Sequence, residues 1–256
     1  MISDAVGTER VSKIVGYKLT TGNFSEVSPN LPQRIVIIGE ANHANQSNIA
    51  SNLKKQITSA QQAGELFGFG SPIHIMMRIL RSNYGANVGG IPTVVMPQAA
   101  AVGATAKVFN ITPSGVATST GTHTIVLAGR EGLEGGSYSI TINEGDVADD
   151  ITAKIETAIN GVLYAPVTVS ENGYDAVFTT KWKGKTAQGV NATVNTNGNS
   201  LGITYTVTEV TAGTGTPSIT TALNQFGNDW NTIVLNSYGL ETSIISCFIF
   251  LSRGNC

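Results

Sequence analysis

Two short fragments of the sequence contain residues that bind nucleotides in other proteins, but neither has the spacing that nucleotide binding requires. Gly184-Lys185-Thr186 ends like a phosphate-binding loop. The first glycine of such a loop should stand five positions before Gly184, where Thr179 is found, and no helix pattern follows the fragment. The turn Ile38–Asn42 follows an apolar run but lacks the G-x-G-x-x-G glycines of a dinucleotide site. The sequence therefore predicts no nucleotide cofactor.

Three aspartates could in principle hold a cation. Asp146, Asp149 and Asp150 all fall at the start of a predicted helix. Carboxylates in a first helical turn accept hydrogen bonds from free backbone N–H groups and match the positive end of the helix dipole. We interpret the three as capping residues, with Asp146 as the N-cap, and predict no metal site.

The remaining reactive residue types are scattered along the chain. His43, His74 and His123 fall in a predicted loop, helix and strand, and none has a second histidine or cysteine at ligand spacing. Cys247 and Cys256 form neither a disulfide framework nor a zinc pattern. No serine stands in a G-x-S-x-G elbow. The sequence thus predicts no catalytic, metal or cofactor-binding residues, and a protein that is not an enzyme.

The composition points to surfaces that meet other proteins. Charged residues make up 12% of the chain, about half the usual share for globular proteins, while hydrophobic residues make up 41%. The net charge is −2 and no basic run is present, which argues against a nucleic-acid partner. The apolar segment near the C-terminus is too short to span a membrane, and the first residues lack the pattern of a signal peptide.

A buried strand is the element around which the chain is organised. Ile35-Val36-Ile37-Ile38 is an unbroken β-branched run, typical of a strand covered on both faces. A helix is predicted after it, because Ser59 and Gln62 form a capping box and Gly68 supplies a left-handed stop.

A second helix and a second buried strand follow. Ser71 is a predicted N-cap with Pro72 at the first helical position. The apolar positions of this helix share one stripe: Ile73, Met76, Met77 and Leu80. We expect the two helices to cover the strand above and below. Ile91–Pro97 is the predicted second strand.

Residues 105–211, which we call the inserted region, have mostly the alternating pattern of strands. A β-hairpin is predicted around the glycine-rich loop Gly129–Gly136. One helix is predicted from Val147 to Asn160, with Ile151, Ile155 and Ile159 on one face. The strand set and its single helix predict a β-sandwich-like domain.

Helical and buried-strand patterns return after the inserted region. Thr216 and Pro217 predict a helix start, and Thr232–Leu235 predicts another buried strand. We therefore predict an α+β protein with a discontinuous α/β core domain and an inserted β-sandwich-like domain. Its predicted parts are an extended N-terminal arm at 1–33, an α/β core at 34–104 and 212–256, and an inserted domain at 105–211.

The N-terminal residues contain one segment that could form a strand, Val11–Leu19. Four of its residues lie on one side of an extended chain and Ile14 lies on the other: Val11, Val15, Tyr17 and Leu19. Either this segment is a frayed terminus or edge strand, or it is an arm that adds a strand to a neighbouring molecule's sheet. These five residues are the predicted assembly residues.

The order of these elements resembles the contractile phage tail sheath proteins of the Mu-like type. The resemblance rests on the strand ending in Ile38–Ala41, the helix and turn of Ile57–Ile73, the inserted helix of Gly145–Asn160, and Leu223–Leu235. It covers roughly residues 10–245 and also implies a discontinuous core with an inserted domain.

The resemblance implies a structural function. It implies a subunit of a virion tail sheath that assembles in the bacterial host cytoplasm, surrounds the tail tube and contracts to drive it through the host envelope. The expected partners are other sheath subunits, linked by terminal arms, and the tail tube protein. Sheath proteins continue beyond the position where this sequence ends in an apolar segment, so we expect a C-terminally truncated form.

A different class of function is a carbohydrate- or surface-binding module in the inserted region. Such sites display aromatic side chains that stack on sugar rings. The aromatic residues of this part form no obvious alternating platform: Tyr138, Tyr164, Tyr174, Phe178 and Trp182.

Overall fold

A computed structural model describes residues 33–82, 88–130, 134–227, 229 and 231–238. The protein is α+β, as the sequence predicts, with eleven strands in three sheets among these residues. The strands are β1 Ile35–Glu40, β2 Lys55–Ile57, β3 Thr93–Gln98, β4 Val108–Ser114, β5 Gly121–Ala128, β6 Gly136–Ile142, β7 Val167–Asn172, β8 Asp175–Thr180, β9 Asn191–Asn195, β10 Thr204–Thr211 and β11 Ile233–Asn236. The α-helices are α1 Ala60–Phe67, α2 Pro72–Leu80, α3 Ala148–Asn160 and α4 Thr220–Leu223.

The first sheet has the strand order β11-β1-β3-β2. Strand β1 pairs in parallel with β3 and with β11, while the short β2 runs antiparallel at the other edge. Residues from before and after the inserted region therefore share one sheet. No sequence pattern predicted β2, since three residues are too few to show alternation.

Both faces of the first sheet are covered, but not by the two predicted helices. Both α1 and α2 pack on the same face, where Ile37 and Val95 contact Phe67 and Met77 in one cluster. The opposite face, formed by residues such as Val36 and Met96, is covered by Ile219–Phe226. The expectation that the helices lie on opposite sides was wrong because α1 and α2 pack against each other as well as on the sheet.

Serine caps start both helices as predicted. The Ser59 hydroxyl accepts a hydrogen bond from the Gln62 N–H at 3.1 Å, and the Ser71 hydroxyl accepts from the His74 N–H at 3.2 Å. Gly68 ends α1 with φ of 94°, a conformation that favours glycine. These caps fix where the polypeptide turns back over the sheet.

The inserted region forms two antiparallel sheets that share one hydrophobic core. Their orders are β10-β4-β8-β7 and β6-β5-β9, and the predicted hairpin is β5–β6. The core receives Ile125 from one sheet, Phe178 from the other and Ile155 from α3. Residues Ile151, Ile155 and Ile159 of α3 are all buried, as the periodicity predicts.

The cap of α3 differs from the prediction. Val147, not Asp146, is the N-cap residue. The Asp146 carboxylate instead accepts from the Asn143 N–H at 2.7 Å and pairs with Lys154. The Asp150 carboxylate accepts from the Val147 N–H at 3.1 Å. The aspartates stabilise the helix start, but Asp146 does so through the preceding turn.

The return to the first sheet also differs in detail. The predicted helix from Thr216 shortens to the single turn Thr220–Leu223, so Pro217 precedes it. Strand β11 lies at the edge of the sheet that the described strands form, and Ile233 is 46% exposed rather than buried. Where the inserted region joins, Thr105 and Thr214 form an isolated antiparallel bridge, with 2.8 Å between their hydroxyl oxygens.

Candidate functional site

The predicted assembly residues lie outside the described part of the chain. Val11, Ile14, Val15, Tyr17 and Leu19 all belong to residues 1–32. Within the described residues, the most unusual chemical environment is elsewhere, where the inserted region meets the first sheet.

Polar side chains collect at the carboxyl ends of the parallel strands. Glu40 ends β1, Gln98 ends β3 and Ser237 directly follows β11, and all three are buried. They lie along one edge because parallel strands end on the same side of a sheet, the side where open α/β sheets bind ligands. In this chain the edge is covered by the inserted region.

Thr186 of the inserted region reaches the carboxylate of Glu40. It lies in a short 3-10 helix, Lys185–Gly189, and its hydroxyl donates a hydrogen bond to Glu40 Oε2. The same hydroxyl accepts from the indole N–H of the buried Trp182 at 3.0 Å. The chain Trp182–Thr186–Glu40 thus connects the core of the inserted region to the central strand of the first sheet.

Gly184 makes this approach possible. Its φ is 131°, and a Cβ atom at this position would lie 2.9 Å from Glu40 Oε1. A larger residue would be strained and would push the carboxylate away. The fragment Gly184-Lys185-Thr186 ends like a phosphate-binding loop, but the group that it contacts is the Glu40 carboxylate of the same chain.

A second contact across the junction is charged. The guanidinium of Arg130 pairs with Glu134, with Nε 3.0 Å from Oε1, and Glu134 is 1% exposed. The same guanidinium donates to the backbone carbonyl of Ser237 and lies 5.9 Å from the Trp182 ring. Arg130 therefore binds both the inserted region and the residue that follows β11.

Three buried oxygens at the junction have no hydrogen-bond partner: Glu40 Oε1, Ser237 Oγ and Tyr238 Oη. Burial raises the pKa of Glu40 to about 7, although the Thr186 hydrogen bond and the charge of Arg130 act in the opposite direction. Burial also raises the pKa of Tyr238 well above its usual value. A cavity of about 170 Å³ adjoins them, lined in part by Arg130, Lys185, Thr186 and Tyr238.

This arrangement does not resemble a catalytic constellation. No candidate nucleophile is hydrogen-bonded to a histidine base at the junction, and the described residues contain no group of three His, Cys, Asp or Glu that could hold a metal. The inserted region and the first sheet are instead joined here by the Glu40 carboxyl group and the Arg130 guanidinium. A sequence signal was available but was not used, since Glu40 is a charged residue two positions after the apolar run Ile35–Ile38.

The three histidines stay separate in structure as in sequence. His43 is exposed in a 3-10 helix. The Nδ1 atom of buried His74 accepts from the Gly70 N–H at 3.1 Å. His123 lies 2.7 Å from the Tyr205 hydroxyl and 3.0 Å from the carbonyl of Asn199. The side chains of His74 and His123 thus have structural partners.

The aromatic residues considered for sugar binding are mostly unavailable. Tyr138, Phe178 and Trp182 are buried in the core of the inserted region. Tyr164 and Tyr174 are 45% and 66% exposed, but the guanidinium of Arg78 covers the Tyr164 ring at 3.7 Å. These positions do not form an aromatic platform.

Exposed strand edges are the other notable surface feature. Strand β10 pairs only with β4 among the described strands, and most of its residues are exposed. Val207 and Val210 are 45% and 58% exposed. Within the described part of the chain, β11 likewise has one neighbour, β1. An edge strand offers backbone N–H and C=O groups to a strand from another molecule.

No helix in the described part of the chain is both long enough and apolar enough to cross a membrane. No family model matches the sequence. The chain is 23% identical over 186 residues to the Mu-like prophage FluMu tail sheath protein of Haemophilus influenzae. The match covers 72% of this chain and 36% of that relative, so the chain spans about a third of the relative's length. The comparison confirms the resemblance seen in the sequence: this chain is similar to a tail sheath protein of the Mu-like type.

Proposed function

We propose that this protein is a structural subunit of a contractile phage tail sheath. The observation that carries the proposal is the similarity to a prophage tail sheath protein over 186 residues. The α+β fold, with a sheet drawn from both sides of an inserted region, agrees with the architecture that the resemblance implies. We place the protein in the virion tail and its assembly in the cytoplasm of the bacterial host.

In this proposal the work of the protein is done by contacts between subunits. Sheath subunits surround the tail tube protein, and the assembly repacks into a lower-energy lattice that drives the tube through the host envelope. The free energy is stored in the protein interfaces, so no nucleotide and no catalytic residue is required. A surface with few charges and open strand edges such as β10 and β11 suits repeated contacts between copies.

We further propose that residues 1–33 act as an arm that links subunits. The segment Val11–Leu19 would add a strand to a neighbour's sheet and gain backbone hydrogen bonds along an open edge. The domain division proposed here is an α/β core at 34–104 and 212–256 with an inserted domain at 105–211.

Electron microscopy of the assembled protein tests the function. We expect a chain extended with the remaining length of a sheath protein to form rings or tubes. Deletion of residues 1–20 should abolish these assemblies while changing the melting temperature of the monomer by no more than a degree or two, since the segment has too few apolar residues to form a core.

Two variants sharpen the test. Val15→Pro should abolish assembly in the same way, because proline removes a donor from the proposed ladder. Val15→Thr keeps the donor and the β-branched shape and should still assemble. Failure of the extended wild-type chain to form any ring or tube would contradict the sheath function. A deletion that strongly destabilises the monomer would contradict only the arm.

A further inference from the structure

The junction between the inserted region and the first sheet depends on a carboxyl group in an unusual state. Glu40 is 1% exposed, one of its oxygens accepts from Thr186, and the other has no partner. A neutral carboxyl tolerates this environment at the cost of one missing hydrogen bond. A buried carboxylate with a single neutral donor is much less stable.

The charges around Glu40 do not compensate for its ionisation. The positive charge of Arg130 favours ionisation of Glu40, but Glu134 and the carbonyl of Ser237 already bind the Arg130 guanidinium. Glu134 adds a negative charge that opposes ionisation. Among the described residues, two further titratable groups line the neighbouring cavity: Lys185 and Tyr238.

The Glu40–Thr186 contact would break if the inserted region moved away from the first sheet. Thr186 belongs to the inserted region and Glu40 to the central strand of the first sheet. One backbone bond closes the same junction, from the Lys185 N–H to the carbonyl of Gly215 at 2.8 Å, while the neighbouring Gly184 N–H binds the carbonyl of Thr105 within the inserted region at 3.0 Å. The cavity beside them gives water a place to enter when the contact opens.

We propose that Glu40 and Thr186 form a proton-operated latch, which holds the inserted region on the carboxyl edge of the first sheet while Glu40 is neutral and loosens when Glu40 is ionised. This regulation is separate from sheath assembly and does not require it. The pH dependence of the closed state follows from the binding of a proton to Glu40. A carboxyl group whose pKa is raised in the closed state favours closure at low pH, and that contribution is lost as the pH rises through the raised pKa.

Native-state hydrogen exchange of the full chain tests the latch. With a pKa of about 7 when closed and an ordinary value when open, the opening equilibrium should increase about tenfold between pH 6 and pH 8 and then level off. The Lys185 amide, whose bond to Gly215 crosses the junction, should report this increase after correction for intrinsic exchange rates. The amide of Ile125, inside the core of the inserted region, should not.

Three variants decide the outcome. Glu40→Gln keeps the shape without an ionisable proton and should abolish the pH dependence, whereas Glu144→Gln, at an exposed acid, should leave it intact. Thr186→Val should increase opening at every pH and retain the dependence, which keeps the test valid if Glu40→Gln does not fold. Equal protection at pH 6 and pH 8 in the wild type, persistence of the dependence in Glu40→Gln, or unchanged opening in Thr186→Val would overturn the latch.

Discussion

The first sheet and the inserted region solve the problem of burying β-strands in different ways. In the first sheet, β1 and β3 are buried along their whole length, and helical segments from both sides of the inserted region cover the two faces. In the inserted region, strands such as β5 and β6 alternate between buried and exposed residues, and a single core lies between two sheets and α3. One part depends on distant segments of the chain, whereas the other draws on a continuous stretch.

The two parts should differ in whether each can fold without the rest of the chain. The core of the inserted region uses only residues between Phe109 and Ile203. The two clusters of the first sheet need residues as far apart as Val36 and Tyr238. The inserted region should therefore be able to fold alone, and the first sheet should not form until both of its chain segments are present.

The strongest test of this comparison is to separate the two parts. A fragment of residues 105–211 should unfold cooperatively, because it contains its whole core. Limited proteolysis near Ala99–Ala104 and Thr211–Thr216 should release the same fragment, and thermal unfolding by circular dichroism should show one transition.

A shorter fragment serves as the control. A fragment ending at Asn195 lacks Leu201, Ile203 and β10, and it should not unfold cooperatively. First cleavage within Ile140–Ile159, or the lack of a transition in the fragment 105–211, would contradict a separate inserted domain.

The next largest effect concerns the central strand. Ile37→Ala should lower the free energy of unfolding by about 2–5 kcal/mol, because Ile37 is fully buried between the strands and α1–α2. Urea denaturation of the full chain measures this change. Ile233→Ala is the matched control at the exposed edge of the same sheet and should cost less than about 1 kcal/mol. Equal losses at the two positions would contradict the burial of β1.

A pH effect should appear on the helical face of the first sheet. Burial, helped by the positive charges of Arg78 and Lys181, lowers the pKa of His74 to about 4. The folded state therefore binds fewer protons than the unfolded state between about pH 4 and pH 6.5. Stability should fall by up to about 3 kcal/mol as the pH drops through this window.

Replacement of the histidine isolates its share of this loss. His74→Asn keeps a hydrogen-bond acceptor for the Gly70 N–H but cannot be protonated, so it should flatten the acid dependence measured by urea denaturation at several pH values. His43→Gln, at an exposed histidine, should retain the wild-type dependence. An unchanged slope in His74→Asn would show that other groups cause the acid loss.

The smallest effects concern the helix caps, which also distinguish the two parts. Ser59→Ala should cost about 1 kcal/mol, because the Ser59 hydroxyl caps α1. Helix α3 has Val147 at its N-cap, and this side chain makes no capping bond. Val147→Thr replaces one methyl group by a hydroxyl and should gain about 0.5–1 kcal/mol. Denaturation midpoints of both variants check these values, and loss of stability in Val147→Thr would contradict the cap geometry.

The sequence predicted what depends on local patterns. The run Ile35–Ile38 indicated a two-sided strand, the spacing Ile151–Ile155–Ile159 indicated the inner face of α3, and Ser59 and Ser71 indicated helix starts. Each of these signals depends only on residues close together in the sequence, where helix and strand propensities and helix capping act directly.

Features set by distant contacts were not predictable in the same way. The face on which α1 and α2 lie depends on how they pack together, and α4 covers the other face from more than a hundred residues away. The Glu40–Thr186 contact joins residues separated by 146 positions. A charged residue at the end of a buried strand needs a partner, but Glu40 was not singled out from the sequence, and one sequence could not say that the partner was Thr186.

The bridge between Thr105 and Thr214 has a consequence for how the chain closes. It brings together two residues 109 positions apart, whereas the pairing of β1 with β11 in the first sheet brings together chain segments 198 positions apart. Once this bridge has formed, the first sheet pairs β1 with β11 as if more than half of the intervening chain were missing. The entropic cost of closing a loop changes by only about 0.6 kcal/mol per doubling of its length. The stability of the first sheet should therefore depend little on the length of the region inserted at this point. We therefore expect insertions and deletions in the inserted region to leave the fold of the first sheet unchanged.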